Sequence, residues 1–249
     1  MKTLTLAYES HGSGTPVVLL HGLTFDRTSW RPIVERLGDG VHTVAIDLPA
    51  HGESGGSPCT LDEVAAQVHE LVEQLGIDRP IVVGHSMSGA VVMLYAAAYP
   101  TRGAVVVDQP FDIRPFARFA KQLEPGLRGP GFEQAFAPFQ ESMRLDLVRE
   151  PLPQALRQDV VVGYWEQLLR SDPEELQAWI DRVAATIVVP GLALFGKTLA
   201  DADRERIAAM APTVAVEEWD GDGHCLHLVE PDRFAARLRR FVDDCDAHG

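Results

Sequence analysis

Short runs of β-branched and other apolar residues recur along most of the chain, with helical patterns between them. This alternation is typical of a parallel sheet built from βα units, whose strands are buried on both faces. The clearest runs are 17–20, 44–46, 81–83, 104–107, 192–195 and 214–216. With 249 residues, the chain is long enough for one domain with an insertion. The sequence therefore predicts an α/β fold with a mostly parallel central sheet flanked by helices.

The clearest helical pattern lies at residues 61–75, where apolar residues repeat at helical spacing. Thr60 and Glu63 have the spacing of a capping box, which predicts the start of the helix. Gly76 predicts its end.

The βα alternation disappears between residues 109 and 185, where prolines punctuate helical stretches. We predict that 111–185 is a helical cap inserted between two core segments, 1–110 and 186–249. Aromatic side chains in this insertion would either line an apolar binding cavity or form the insertion's own small core, and both interpretations stay open. These aromatic residues are Phe111, Phe116, Phe119, Phe132, Phe136, Phe139, Tyr164, Trp165 and Trp179.

The composition and net charge of the chain limit the binding partners and the cellular compartment that we expect. The formal net charge of −14 repels phosphate backbones and anionic lipid surfaces, so we expect a small-molecule substrate and neither a nucleic-acid nor a membrane partner. Residues 1–8 alternate polar and apolar types and lack the apolar block of a signal peptide. The three cysteines show neither disulfide nor zinc-site spacing. We therefore expect a cytoplasmic protein without metal or cofactor, and its oligomeric state stays open.

Residues 81–92 combine a buried strand, a glycine-flanked turn and a helix, which is the context of a nucleophile elbow with Ser86 at its tip. Such a turn needs small residues on both sides so that strand and helix can approach closely. Gly84 meets this need on one side. Ser88 stands where a second glycine is usual and Gly89 follows it, a departure that the small serine side chain should tolerate. The alternative is a plain strand-to-helix turn.

Together with this elbow, three other segments make the chain resemble the α/β-hydrolase family over nearly its whole length. The segments that carry the resemblance are 21–22, 47–54, 84–89 and 221–231, in the family's order and spacing. The resemblance implies an oxyanion hole made by the backbone N–H groups of Leu23 and Met87. Such donors stabilise the negative charge that acyl transfer builds on a carbonyl oxygen. His21, His85 and Asp47 are expected to have structural roles beside this machinery.

His224 is the candidate general base. It lies in a glycine-bracketed loop after the last predicted strand, and chain order places it after the nucleophile, as in the family. A neutral imidazole can accept the serine proton and return it to the leaving group. His227, three residues away, is a competitor that we expect to support the loop or to pack at the start of the last helix.

The carboxylate that orients the base is the point at which the sequence departs from the family. In most relatives it follows the strand that corresponds to 192–195, but residues 196–199 here contain no acid. Asp201 and Asp203 lie slightly further on and resemble helix-start residues. Asp108, at the end of the strand 104–107, occupies a position that some members of the family use. We favour Asp108, with Asp201 and Asp203 as alternative acids.

The resemblance implies a serine hydrolase that cleaves a carboxylic ester or lactone of a small, largely apolar substrate through an acyl-enzyme on Ser86. Ser86 excludes the usual chemistry of epoxide hydrolases and haloalkane dehalogenases, which use an aspartate nucleophile. Two alternatives stay open. One is a carbon–carbon bond hydrolase or lyase that uses the same triad, and the other is a receptor-like or binding protein on a hydrolase scaffold.

Overall fold

A sheet of seven strands forms the centre of the structure, a computed structural model that describes residues 6–148 and 155–248. The sheet order is β1-β3-β2-β4-β5-β6-β7; β1 runs antiparallel to β3 and all other pairs are parallel. The strands are β1 Tyr8–Gly12, β2 Gly14–Leu20, β3 Gly40–Ile46, β4 Ile81–His85, β5 Gly103–Val107, β6 Gly191–Phe195 and β7 Val214–Glu218. The six predicted runs lie within β2 to β7, which confirms the predicted α/β fold.

Ten α-helices connect or flank these strands in the part of the chain that the structure describes. They are α1 Arg31–Leu37, α2 Leu61–Gln74, α3 Met87–Ala98, α4 Arg114–Arg128, α5 Phe132–Ser142, α6 Gln158–Arg170, α7 Pro173–Ala184, α8 Asp201–Met210, α9 Leu226–Val229 and α10 Pro231–His248. Short 3₁₀ helices cover Arg27–Trp30 and Leu145–Leu147. The predicted capping box of Thr60 and Glu63 is present at the start of α2.

The sheet is buried on both faces because its strands carry apolar side chains on each side. One face packs against the 3₁₀ helix Arg27–Trp30, α1 and α10, which contribute the fully or almost fully buried side chains of Trp30, Ile33, Phe234 and Leu238. The other face packs against α2 and α3 and is continuous with the apolar interior between α4 and α7. Both helical layers pack against the strands and so support the loops at the carboxyl ends of the sheet.

Helices α4–α7, which we call the cap helices, follow β5 and precede β6, within the segment predicted as an insertion. Their boundaries as a separate cap remain a prediction, and residues 149–154 of that segment lie outside the described residues. So do residues 1–5, which belong to the alternating N-terminal pattern noted above. Among the described helices, none is both long and apolar enough to span a membrane.

Candidate active site

A cavity of about 830 Å³ opens at the carboxyl ends of the parallel strands, between the sheet and the cap helices. Ligand sites of open α/β sheets gather at this edge because the loops that follow the strands converge there. Six predicted site residues line the cavity: Leu23, Ser86, Met87, Asp108 and His224, together with the alternative acid Asp203. Segments that are far apart in the sequence therefore meet at one site.

Ser86 lies on a sharp turn between β4 and α3, with φ of 54° and ψ of −126°. A non-glycine residue with positive φ is strained, and such strain is common at functional turns. The turn is held by two backbone hydrogen bonds, from Ser86 N–H to the Val107 carbonyl (2.7 Å) and from Gly89 N–H to the Ser86 carbonyl (2.7 Å). No side-chain hydrogen bond caps α3 at Ser86. The hydroxyl therefore remains available at the cavity wall.

Small residues around the elbow allow strand and helix to touch, as the sequence predicts. A Cβ at Gly84 would lie 2.2 Å from the Ser88 carbonyl oxygen, and one at Gly89 would lie 2.6 Å from the Gln109 side chain. Ser88, the departure from the family pattern, is fully buried and donates its hydroxyl hydrogen bond to the carbonyl of His21. The serine thus fits the elbow and also ties it to the loop after β2.

The two predicted oxyanion donors are main-chain groups at favourable positions. Met87 is the first residue of α3, and the first N–H groups of a helix lack intrahelical partners and lie at the positive end of its dipole. Leu23 lies in a tight turn closed by a hydrogen bond from Phe25 N–H to the Gly22 carbonyl (3.1 Å). His21 donates from Nδ1 to the same carbonyl (2.8 Å) and accepts the Leu48 N–H at Nε2 (3.0 Å), which is the structural role predicted for it.

Asp108 and His224 form a hydrogen-bonded pair, with 2.6 Å between carboxylate Oδ2 and ring Nδ1. The other carboxylate oxygen accepts the N–H of Gly196 (3.0 Å). Burial raises the pKa of Asp108, but the hydrogen bond and charge of His224 and the N–H of Gly196 outweigh it, so the pKa lies below its ordinary value. An ionised carboxylate therefore orients the ring and leaves Nε2 as its free nitrogen. No hydrogen bond joins the Ser86 hydroxyl to this ring within the described residues; such bonds often tighten only when substrate is bound.

The alternative acids have other partners. Asp201 and Asp203 lie in the first turn of α8, as their helix-start pattern predicts. The carboxylate of Asp201 is exposed and pairs with Arg204 (2.7 Å). Asp203 contributes to the cavity wall, but neither residue has a hydrogen bond to His224 among those that the structure describes. Gly196, the first residue of the stretch 196–199 that lacks the usual acid, contributes a backbone N–H to Asp108, a role that the sequence does not reveal.

Two further histidines pack behind the base. His85 donates from Nε2 to the carbonyl of His224 (2.9 Å) and so connects the nucleophile elbow to the base loop. His227 is buried, with ring centroids 4.5 Å from His85 and 4.8 Å from Trp30. Burial lowers the pKa of His85 to about 3 and that of His227 well below its ordinary value. Both rings are neutral at physiological pH, consistent with the supporting roles predicted for them.

These buried histidines predict a loss of stability in mild acid. Burial also lowers the pKa of His21, so only the unfolded chain gains protons at His21, His85 and His227 as the pH falls below about 6.5. Each should lower the free energy of unfolding by about 1.4 kcal/mol per pH unit below that value and have no effect above it. Urea unfolding between about pH 6.5 and 5 measures this slope, since carboxylates titrate mainly below that window. His227→Phe should reduce the slope by one histidine's share, and an unchanged slope would contradict the interpretation.

The contact between Gly196 and the base loop predicts a second effect. A Cβ at Gly196 would lie 1.8 Å from the carbonyl oxygen of Gly223, a backbone atom that cannot move without the base loop. Gly196→Ala should therefore displace His224 and lower kcat by about 100-fold or more, since a misplacement of about 1 Å has effects of this order. Gly131→Ala is the matched control, because a Cβ there meets only the Gln134 side chain at 3.8 Å. Wild-type turnover in Gly196→Ala would exclude the proposed role of this contact.

Aromatic side chains of the cap segment serve both purposes that the sequence left open. Phe132 stacks on Phe136 at 5.8 Å between ring centroids, and both are buried away from the cavity. The remaining seven line the cavity: Phe111, Phe116, Phe119, Phe139, Tyr164, Trp165 and Trp179. The cavity is therefore bounded by the catalytic candidates on the sheet side and by aromatic rings on the cap side.

The fold and this arrangement agree with a comparison against known families. The model described as "Alpha/beta hydrolase family" matches residues 17–237. The chain belongs to the alpha/beta hydrolase family.

Individual relatives share only limited sequence identity with this chain. The 2-succinyl-6-hydroxy-2,4-cyclohexadiene-1-carboxylate synthase of Serratia proteamaculans is 26% identical over 250 residues, covering 91% of this chain and 92% of that protein. Other relatives match over part of their length only. In the dihydrolipoyllysine-residue acetyltransferase component of the acetoin cleaving system of Cupriavidus necator, 35% identity over 102 residues covers 40% of this chain and 27% of the relative.

Among solved structures, the chain resembles Est816, described as an N-acyl homoserine lactone degrading enzyme. The TM-score is 0.74 with 22% sequence identity, over 97% of this chain and 98% of that one. At this identity, the similarity shows the shared fold.

Proposed function

We propose that the protein is a serine hydrolase that cleaves a carboxylic ester or lactone of a small, largely apolar substrate. The observation that carries the proposal is the convergence on one cavity of Ser86, the hydrogen-bonded pair Asp108 and His224, and two backbone N–H donors. Each group has the chemical character that acyl transfer requires. The family to which the chain belongs supports the same class of reaction.

The reaction proceeds in two acyl-transfer steps. Ser86 Oγ attacks the carbonyl carbon while His224 Nε2 takes the hydroxyl proton, and the carbonyl oxygen becomes an oxyanion. The N–H groups of Leu23 and Met87 stabilise this oxyanion. As the intermediate collapses, the C–O bond to the leaving alcohol breaks and His224 returns the proton to that oxygen. Water, deprotonated by His224, then attacks the acyl-enzyme; the bond between the acyl carbon and Ser86 Oγ breaks, His224 returns the proton to Oγ, and the acid is released.

Asp108 has a supporting role in both steps. Its hydrogen bond at Nδ1 keeps the resting proton on that nitrogen, so Nε2 has a free electron pair for the serine proton. Its negative charge then stabilises the imidazolium that forms. Asp108 itself stays ionised throughout, consistent with its lowered pKa.

The cavity favours a medium-sized apolar group on the substrate. Its volume of about 830 Å³ and its aromatic cap side suit an apolar acyl or alkoxy chain. The structural relative Est816 is described as degrading an N-acyl lactone, a substrate that combines such a chain with a cyclic ester. These features support esters and lactones of medium chain length as the first substrates to test.

A second candidate is carbon–carbon bond cleavage or a lyase reaction with the same three residues. The relative from Serratia proteamaculans, named as a synthase of a cyclohexadiene carboxylate, is the observation that favours it. A binding protein without catalysis has less support. Its basis in the sequence was the vacant acid position after β6, and the bond between Asp108 and His224 removes that basis.

Two measurements test the proposal. A fluorophosphonate probe should label the wild-type protein at Ser86, as mass spectrometry of the labelled peptide would show. A panel of 4-nitrophenyl esters and of N-acyl and simple lactones, with Ser86→Ala as the blank, then identifies the leaving group and chain length. A folded protein that is inert to both would favour the binding protein, and turnover of carbon–carbon substrates alone would favour the second candidate.

A further inference from the structure

His51 lies buried between the turn that contains Leu23 and cap helix α6. Its Nε2 is 2.5 Å from the carbonyl oxygen of Leu23, and its Nδ1 is 3.0 Å from that of Pro49. The ring centroid is 4.8 Å from that of His21 and 5.3 Å from that of Tyr164. His51 takes no part in the proposed proton-transfer path.

The ring has one proton to donate, and the contacts indicate where it goes. Burial lowers the pKa of His51, so the ring is neutral and carries a single N–H. The shorter contact assigns this N–H to Nε2, which donates to Leu23. The Pro49 carbonyl has its own donor, the hydroxyl of Tyr164 at 2.8 Å.

This hydrogen bond completes the support of the Leu23 backbone. The carbonyl of Gly22 accepts from His21 and from Phe25, which fixes the peptide plane before Leu23. The carbonyl of Leu23 accepts from His51, which fixes the plane after it. Because a peptide unit is planar, holding both planes sets the direction of the Leu23 N–H.

The cap segment holds the same two loops through backbone carbonyls. The three bonds run from Ala155 N–H to Thr24 (3.1 Å), from the Arg157 guanidinium to Ala50 (3.1 Å) and from the Tyr164 hydroxyl to Pro49 (2.8 Å). Because Pro49 lies in the same loop as His51, and because the rings of Tyr164 and His51 are in contact, the position of α6 is connected to the Leu23 turn.

We infer that His51 is a positioning residue that holds the Leu23 N–H in place for the oxyanion and connects it to the cap through Tyr164. This inference rests on the proposed function, because it needs an oxyanion at the site. It predicts that His51 acts on the transition state and has little effect on the binding of the ground state.

The first test compares His51→Phe with His51→Gln. Phenylalanine keeps the ring contacts and removes the N–H, so kcat for a 4-nitrophenyl ester should fall about 10- to 100-fold with KM nearly unchanged, somewhat less than the loss of an oxyanion donor. Glutamine restores an N–H donor and should recover at least about tenfold of that loss. His69→Phe, a histidine stacked on Tyr99, is the matched control and should keep wild-type kcat. Equal kcat in the Phe and Gln variants would overturn the inference.

A second readout separates positioning from general loss of structure. A trifluoromethyl ketone forms a tetrahedral adduct with the serine and needs the oxyanion hole, whereas the matching methyl ketone serves as a ground-state ligand. In His51→Phe, the affinity for the trifluoromethyl ketone should fall in parallel with kcat/KM, and that for the methyl ketone should not. Equal losses for both ketones would contradict a positioning role.

The connection to the cap is tested by Tyr164→Phe. This variant loses the hydrogen bond from the Tyr164 hydroxyl to Pro49 and keeps the hydrogen bond from His51 to Leu23. We expect a loss of kcat of no more than about fivefold. If Tyr164 acts through His51, the double variant Tyr164→Phe/His51→Phe should have the same kcat as His51→Phe alone. Additive losses would exclude the proposed connection.

The outcomes separate failure of the inference from failure of the proposed function. If the wild type neither hydrolyses the ester nor reacts with the fluorophosphonate, the proposed function fails. If the wild type is active and the His51 variants match it, only the inference fails. Thermal unfolding confirms that each variant is folded. Should His51→Phe not fold, His51→Ala is measured with and without added imidazole, where recovery of kcat is expected and its absence counts against the role.

Discussion

Replacement of Ser86 by alanine is expected to lower kcat for the best ester or lactone by about 10⁶-fold, the size of the loss seen when a serine nucleophile of this type is removed. Alanine leaves the cavity and the oxyanion donors in place but removes the atom that attacks the carbonyl carbon. The residual rate should equal that of attack by water aided only by the oxyanion donors and by substrate binding. Steady-state hydrolysis and intact-mass measurement after fluorophosphonate treatment check both the rate and the covalent adduct.

The control must show that the labelled serine is the one on the elbow. Ser142 lines the same cavity, where its hydroxyl donates to the carbonyl of Phe139. Ser142→Ala should still acquire one fluorophosphonate adduct per molecule, and Ser86→Ala none. If Ser86→Ala formed an adduct and kept a turnover close to that of the wild type, the assignment of Ser86 as the nucleophile would be wrong.

Asp108→Asn should lower kcat by about 10⁴-fold with the fold unchanged, because this substitution in other triads has an effect of that size. Asparagine is nearly the same shape, but its amide carries no charge. It can no longer stabilise an imidazolium at His224, and it favours the tautomer with the proton on Nε2. The rate constant of acylation, measured in a stopped-flow burst of 4-nitrophenol, isolates this effect from deacylation.

The alternative acids supply the comparison. Asp201→Asn removes an exposed partner of Arg204, and Asp203→Asn changes the cavity wall, so neither should lower kcat by more than a few-fold. If Asp108→Asn kept most of its turnover while one of these two lost it, the base would take its partner from α8. The assignment of Asp108 would then be wrong.

The strands, the elbow and the base loop could be predicted from the sequence because each depends on local patterns. The β-branched runs indicate strands buried on both faces of a sheet, and the pattern of Gly84 followed by Ser86 indicates a sharp turn. Strand β1 was not predicted because it is an edge strand with mostly exposed side chains, including Tyr8 and Ser10, and lacks an apolar run.

The acid and the support of the oxyanion turn depend on contacts between distant segments. Asp108 and His224 are 116 residues apart, and no local pattern decides between Asp108 and the two acids of α8. The hydrogen bond from Gly196 to Asp108 and that from His51 to Leu23 also appear only when the loops are brought together. Sequence patterns located the cavity edge, but only the packed loops show which groups touch there.

Ser86 and Asp108 share one backbone feature, a positive φ of 54° and 50° at the ends of neighbouring strands. Each such conformation has an unfavourable free energy of about 1–3 kcal/mol, which the adjoining sheet must offset. There is therefore a trade-off between stability and catalytic activity at these two positions. Selection for thermal stability alone would favour substitutions that relax these two backbone conformations, and the resulting protein would be stable but inactive. Such a selection must therefore measure the reaction rate together with the melting temperature.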